Sequence, residues 1–487
     1  MPQAPALIPL AEEEAALGTA DEGLPRRLGV SALTLTIIAF NAPLVAMAGF
    51  EQLAIGRGNG VGAPTSFLVA GLILLVFSVG FVAMSRYIDN PGAYYRYIVA
   101  GIGRPAGLAG AFLATAAYIL LCAGSYPYLG LVAISVMNDV VGSPVFPWPV
   151  WSIVFLVLIC FVGLLRIDFS VRVVGTLVCV EILLAVIWQI AVALKGGPQG
   201  YSPESFSVSA LTDGSASLGV MFSMLCMCGI EAAACYSAEA INPHVSVAKA
   251  TYIGVILMTL LYASSTWLYI VSQGASHARE IALQDPVGSF FVSVRAYLGG
   301  FLFKVISIVV VTSQMIAIHA AQGTASRYLF ALGRDRVLPV VLARVHRRLE
   351  SPHVAILCVA AACLFVLLVV TACGLDPVKS YAGLTGIGVY FLLPLLTATG
   401  CAILVFFRRN RHLKVGVWSG LIAPAASSLA LAVLFVLISF NLQTLVGTQS
   451  MAAAALAAVA LVPALGWALA VLYRRRSPDV YATIGSQ

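Results

Sequence analysis

Apolar residues follow one another along this chain in long continuous runs, not in the alternation of a half-exposed strand or the three-to-four spacing of a surface helix. About twelve such runs stand near residues 30–56, 65–87, 105–137, 149–165, 173–194, 216–240, 247–271, 299–325, 353–373, 381–407, 416–440 and 450–473. A helix needs roughly 20 mostly apolar residues to cross a bilayer. Membrane barrels alternate polar and apolar positions over about ten residues, so the pattern predicts an all-α polytopic membrane protein. The longest external connection, around 272–294, is too short for a second fold.

Two runs are interrupted. The first reads IIAFNAPLVAMAGFEQLAIG, with Asn41-Ala42-Pro43 and Gly49 inside it; the sixth has Gly229-Ile230-Glu231 near its middle and ends at Asn242-Pro243. Proline removes a backbone donor and clashes with the preceding turn, and glycine relaxes a helix, so each is a candidate break. Runs 1 to 5 and 6 to 10 form two units of five. Five is odd, so the second unit enters the membrane inverted, and paired discontinuous helices at matching places in inverted units point to a transporter's midplane site. Pro and Gly are also common in ordinary membrane helices, and both readings are open on the pattern alone.

Composition adds that no soluble domain is hidden between the runs: 61% of the 487 residues are hydrophobic and 10% charged, with a mean hydropathy of +0.99. Residues 1–27 carry Glu12, Glu13, Glu14, Asp21 and Glu22 without a basic region leading into a short apolar core, which predicts a cytoplasmic tail, not a signal peptide. With the N-terminus inside, all 27 Lys and Arg fall on the cytoplasmic side except Arg57, Lys195, Arg279, Arg295, Lys304 and Lys379. Short cytoplasmic loops accumulate such residues, so both termini are expected inside, in the cytoplasmic (inner) membrane. Topology then explains the net charge of +7 and calls for no nucleic acid. The ten cysteines lie within the runs without metal-ligand spacing and are expected as small apolar core residues. No cofactor or structural metal is implied.

An unwound helix at the bilayer centre frees backbone N–H and C=O groups, each costing several kcal/mol unless protein, water or a ligand satisfies it. Half-helix N-termini suit a carboxylate, and C-terminal carbonyls suit an ammonium or a cation. A zwitterion matches both. The expected cargo is therefore a small amino acid or related amine between Ala42, Pro43, Ala46, Ala48 and Gly49 on one side and Met227, Gly229, Ile230, Glu231 and Ala232 on the other. Glu231, an ionisable group at membrane depth, either joins the unwound segments and exchanges a proton or serves as a polar strut. Glu239 reads as a helix-end residue.

Several stretches resemble the amino acid-polyamine-organocation permeases: SRYIDNPGAYYRYIVAGIGRPAG, GIEAAACYSAEAINPHVSVAKA, AAQGTASRYLFALGRDRVLPVVLARVHRRLESPHVA and YFLLPLLTATGCAILVFFRR. The resemblance covers about residues 28–410. It implies the five-plus-five inverted-repeat fold of the bacterial leucine transporter, with repeats at about 28–195 and 216–407, and substrate at unwound parts of helices 1 and 6. Residues 411–475 are then helices 11 and 12, and 476–487 a cytoplasmic tail. The family's glycine-rich first-helix signature is replaced here by NAPLVAMAG, and its helix-6 gate aromatic by Ile230, which leaves occlusion to Tyr118 or Tyr126.

Related proton-driven permeases carry a helix-5 lysine where sodium-driven relatives bind sodium, and none occurs between Val173 and Leu194. Glu181, in the middle of that run, is read as a proton carrier with Glu231, or as a buried hydrogen-bonded strut. Thr312 and Ser313 are weak sodium-site candidates, since such hydroxyls commonly bond their own helix. His319 is read as packing. Cys122 and Ser125 are pocket linings on position alone. The expected function is amino acid transport by proton symport. Sodium coupling, exchange, polyamine cargo and a non-transporting sensor remain alternatives, and the oligomeric state is not legible. The six histidines form no HExxH pair and no repeated filter segment is visible, which argues against a membrane enzyme and a channel.

Overall fold

Continuous apolar runs become helices because, away from water, each backbone N–H and C=O must find a partner within its own segment. The computed structural model describes residues 29–88, 93–142, 146–165, 171–229, 240–346 and 351–485, and every regular element among them is helical. The main helices are α1 (Val30–Asn41), which resumes at Pro43, α2 (Ala63–Ser85), α3 (Arg104–Val141), α4 (Trp148–Leu164), α5 (Val171–Lys195) and α6 (Ala216–Leu225). There follow α7 (Pro243–Gln273), α8 (Ser289–Arg334), α9 (His353–Ala372), α10 (Pro377–Arg409), α11 (Ala423–Val446) and α12 (Gln449–Arg476).

Among the described residues, nine helical stretches are long and apolar enough to cross a membrane; the first, Val30–Ser85, takes in α1, its continuation and α2, while α4 and α6 are shorter apolar helices. The chain is a multi-pass membrane protein. Its outer surface agrees, because Leu194, Phe301 and Phe440 are each about 80% exposed, which suits contact with lipid. The same surface corrects the expectation for the cysteines. Cys179, Cys358, Cys373 and Cys401 are exposed, whereas Cys122, Cys160, Cys226 and Cys363 are buried. Lipid accommodates a small apolar side chain as readily as the protein interior does, so residence in a span does not imply burial.

The expected connection at 272–294 contains the helix Ala275–Gln284 and the start of α8, which carries non-helical Gly299 (φ 79°) where the eighth run was expected to begin. In the interior, α3 and α10 pack against each other, α8 lies against α3, and α1 sits among α5, α7 and α8. Tyr118, Tyr126, Tyr128, Trp188, Tyr262 and Tyr381 are fully buried there. At the end of the bundle bearing Arg86 and Arg104, the segment after α12 docks on the loop after α8. Asp335 Oδ2 accepts from Tyr95 Oη (2.7 Å) and the Gly485 N–H (3.0 Å), and Thr483 Oγ1 donates to the Asp335 carbonyl (2.9 Å).

Candidate functional site

The first helix breaks at one residue. Pro43 has no N–H, and a residue preceding proline is disfavoured in the right-handed helical region. Ala42 adopts a left-handed conformation (φ 44°, ψ 76°), which costs a non-glycine residue about 1–2 kcal/mol. Its N–H turns back to the Ala39 carbonyl (3.3 Å), and Pro43 restarts the helix at a position where proline is favoured. The N–H groups of Val45 and Ala46 close on the Ala42 carbonyl at 2.9 and 3.1 Å. That of Leu44, which an unbroken helix would give to Phe40, goes instead to Glu181 Oε2 (3.3 Å) on α5. The carbonyls of Ile38 and Phe40 thereby lose their helical donors.

Glu181 is buried, and its other oxygen, Oε1, accepts from Ser313 Oγ on α8 (2.6 Å). Both described partners are neutral donors, so the carboxyl acts as a side-chain cap on the resumed helix and ties α5, α8 and α1 together. Tyr262 Oη on α7 donates to the Asn41 carbonyl (3.4 Å). Asn41 Nδ2 donates to Ile37 (2.8 Å), while its buried Oδ1 has no hydrogen-bond partner among the described residues. Beyond the break the chain stays helical through Gly49, within a π-turn at Ala46–Phe50. A Cβ at Gly49 would lie 2.2 Å from the Tyr128 ring, and Tyr381 Oη donates to the Gly49 carbonyl (3.2 Å). Gly49 is thus covered by an aromatic pair, and Ala46 and Ala48 are buried beside it.

The end of α6 lies against the α1 break. α6 ends at Leu225, Met227 and Cys228 make turns back to Met224 and Leu225, and Gly229 has φ +97°. A Cβ there would meet Phe40 Cδ1 at 2.3 Å, so glycine lets the end of α6 touch the last turn before the α1 break. Phe40 meets Tyr118 edge-on (6.4 Å between centroids), and Tyr118 stacks on Tyr328 (6.2 Å). A cavity of ≈ 30 Å³ lies here, lined by Tyr118, Met224, Met227, Cys228 and Gly229 with aliphatic residues of α2 and α10. It has room for a water, not an amino acid.

Of the residues singled out from sequence, Ala42, Pro43, Glu181 and Ser313 meet at the break, and Tyr118, Met227 and Gly229 meet at the cavity. Thr312 is exposed and bonds its own helix at Ile308 and Val309, while Ser125 bonds Leu121 in α3. Cys122 is buried with Sγ 4.0 Å from the Ile318 carbonyl, and His319 packs near Gly163. Ile230, Glu231, Ala232 and Glu239 lie outside the described residues. Sequence reasoning passed over Glu51, which stands in the resumed first helix, is 1% exposed and accepts from Ser265 Oγ on α7. The signal was present in the same apolar run, but Glu51-Gln52 near its end resembles a polar boundary.

The first helix is thus broken at Ala42, capped there by a carboxyl from α5 and touched at its last turn by the end of α6. No curated protein matches the chain. The amino acid permease family model matches residues 30–462, and the chain therefore belongs to that family of membrane transporters, within the amino acid-polyamine-organocation superfamily.

Proposed function

We propose that this permease moves a small amino acid across the cytoplasmic membrane by proton symport. The observation that carries this reading is Glu181 at the α1 break. Ionised, it accepts from both Leu44 N–H and Ser313 Oγ. A proton added at Oε1 turns Ser313 from donor to acceptor and removes the charge that strengthens the bond from Leu44. Proton uptake thus loosens the cap on the resumed helix, whose movement is needed to widen a cavity the size of a water. Ser313 is already engaged by this carboxyl, which favours the proton over a sodium cage at that position.

The substrate ammonium suits the freed carbonyls of Ile38 and Phe40 and the open Oδ1 of Asn41. Its carboxylate is assigned to the other segment, Met227–Ala232, with Glu231 as a second proton carrier. The proposal includes twelve membrane helices, inverted repeats at about 28–195 and 216–407, and both termini in the cytoplasm.

The test is uptake of a labelled amino acid and amine pool into proteoliposomes under a pH gradient, inside alkaline, or an equal sodium gradient. The pH gradient should drive accumulation by wild type, and Glu181→Gln should equilibrate substrate without concentrating it. Accumulation driven by sodium alone, or undiminished accumulation by Glu181→Gln, refutes the coupling.

A further inference from the structure

We propose that the groove between α2, α7 and the α10–α11 connection holds the phosphodiester headgroup of an anionic phospholipid. A cavity of ≈ 320 Å³ lies there, lined by Arg86, Tyr87, Tyr252, Lys414, Trp418 and Ser419 over an apolar floor from the last turns of α2. Its volume far exceeds that of the apolar cavity at the helix breaks. Among the described residues lining it none carries a carboxylate, and neither the Arg86 guanidinium nor the Lys414 ammonium makes a described hydrogen bond. Two exposed cations from separate segments therefore face one space with no described counter-charge in its wall. Hydroxyls of Tyr252 and Ser419 add donors suited to phosphate oxygens.

A soluble phosphate would use the same cations, but the surroundings favour a lipid. Tyr87 (42% exposed) and Trp418 (54%) flank the groove as amphipathic rings do at a membrane interface. The helices that form it continue into the bilayer with exposed apolar side chains, Ile256 and Leu260 on α7, Ile422 just before α11 and Leu429 within it. A headgroup at Arg86 and Lys414 would thus have an apolar surface beneath it for its acyl chains. Basic pockets between membrane helices recognise anionic headgroups by this combination of charge and aliphatic surface. The site is separate from Glu181 and does not rest on the coupling ion.

The experiment compares wild type with Arg86→Gln/Lys414→Gln and, as a control at other exposed cations, Arg474→Gln/Arg475→Gln. Each is placed in nanodiscs of equal phosphatidylglycerol and phosphatidylcholine, and the lipids retained on release are counted by native mass spectrometry. Two basic residues near a bilayer surface favour an anionic lipid by roughly tenfold or more. Wild type and the control should retain phosphatidylglycerol with that preference, and the Arg86/Lys414 variant should lose it while melting as wild type does in phosphatidylcholine alone. Equal retention of the two lipids by wild type, or undiminished preference in the Arg86/Lys414 variant, overturns the proposal. Glycerol phosphate, which lacks acyl chains, should leave the wild-type melting temperature unchanged; stabilisation equal to that by phosphatidylglycerol would make the ligand a soluble anion and overturn the lipid assignment.

Discussion

Replacing Gly229 by alanine perturbs the meeting of the α6 end with the α1 break in two separable ways. At φ +97° a Cβ is strained whatever space surrounds it, a cost of about 1–3 kcal/mol. The new methyl would also lie 2.3 Å from Cδ1 and 2.6 Å from Cγ of Phe40, and overpacking of this kind costs about 1–3 kcal/mol more. Gly229→Ala should therefore destabilise the protein by roughly 2–6 kcal/mol, read as a shift in the denaturation midpoint of purified protein in detergent. Phe40→Ala removes the ring and leaves the backbone conformation untouched. In that background the same glycine substitution should cost only the strain, so a double-mutant cycle should return a coupling of about 1–3 kcal/mol between positions 40 and 229. A Gly229→Ala variant as stable as wild type, or a cycle with no coupling, refutes the contact between the helix ends.

Ser313→Ala leaves Glu181 with the Leu44 N–H as its sole described donor, and should lower pH-driven uptake while Ser313→Thr restores it, measured in proteoliposomes. Glu51→Ala opens a void at a fully enclosed site and should cost about 2–4 kcal/mol in the same denaturation assay, whereas Glu51→Gln, of nearly equal volume, should stay within about 1 kcal/mol. Tyr95→Phe removes a hydrogen bond to the buried Asp335 carboxylate, should cost about 1.5–3 kcal/mol, and should speed proteolysis of the segment after α12. Burial first, and then the Asp335 charge, push the Tyr95 phenol up from its usual value of 10.0, so it remains the donor and the effect should not vary between about pH 6 and 9.

The order of apolar runs was enough to determine an all-helical membrane protein, because a bilayer permits few other ways to satisfy a backbone. Two further features were legible: Asn41-Ala42-Pro43 as an interruption with Gly229 as a residue at which the helical conformation is lost, and Glu181 as a carboxyl inside an apolar run. What local sequence could not decide was which interruption breaks its helix. Pro127, Pro394 and Pro463 also lie inside apolar runs, yet α3, α10 and α12 continue through them. Pro43 differs in having Glu181, 137 positions along the chain, beside it to take the freed Leu44 N–H, and Tyr262 to bond the Asn41 carbonyl. Gly49 shows the converse, since its missing Cβ makes room for Tyr128 and the helix does not open there. Glu51 and the exposed cysteines follow the same rule. Hydropathy places a residue within the membrane, but whether it faces lipid, a neighbouring helix or a site depends on helices brought together only when the whole bundle packs.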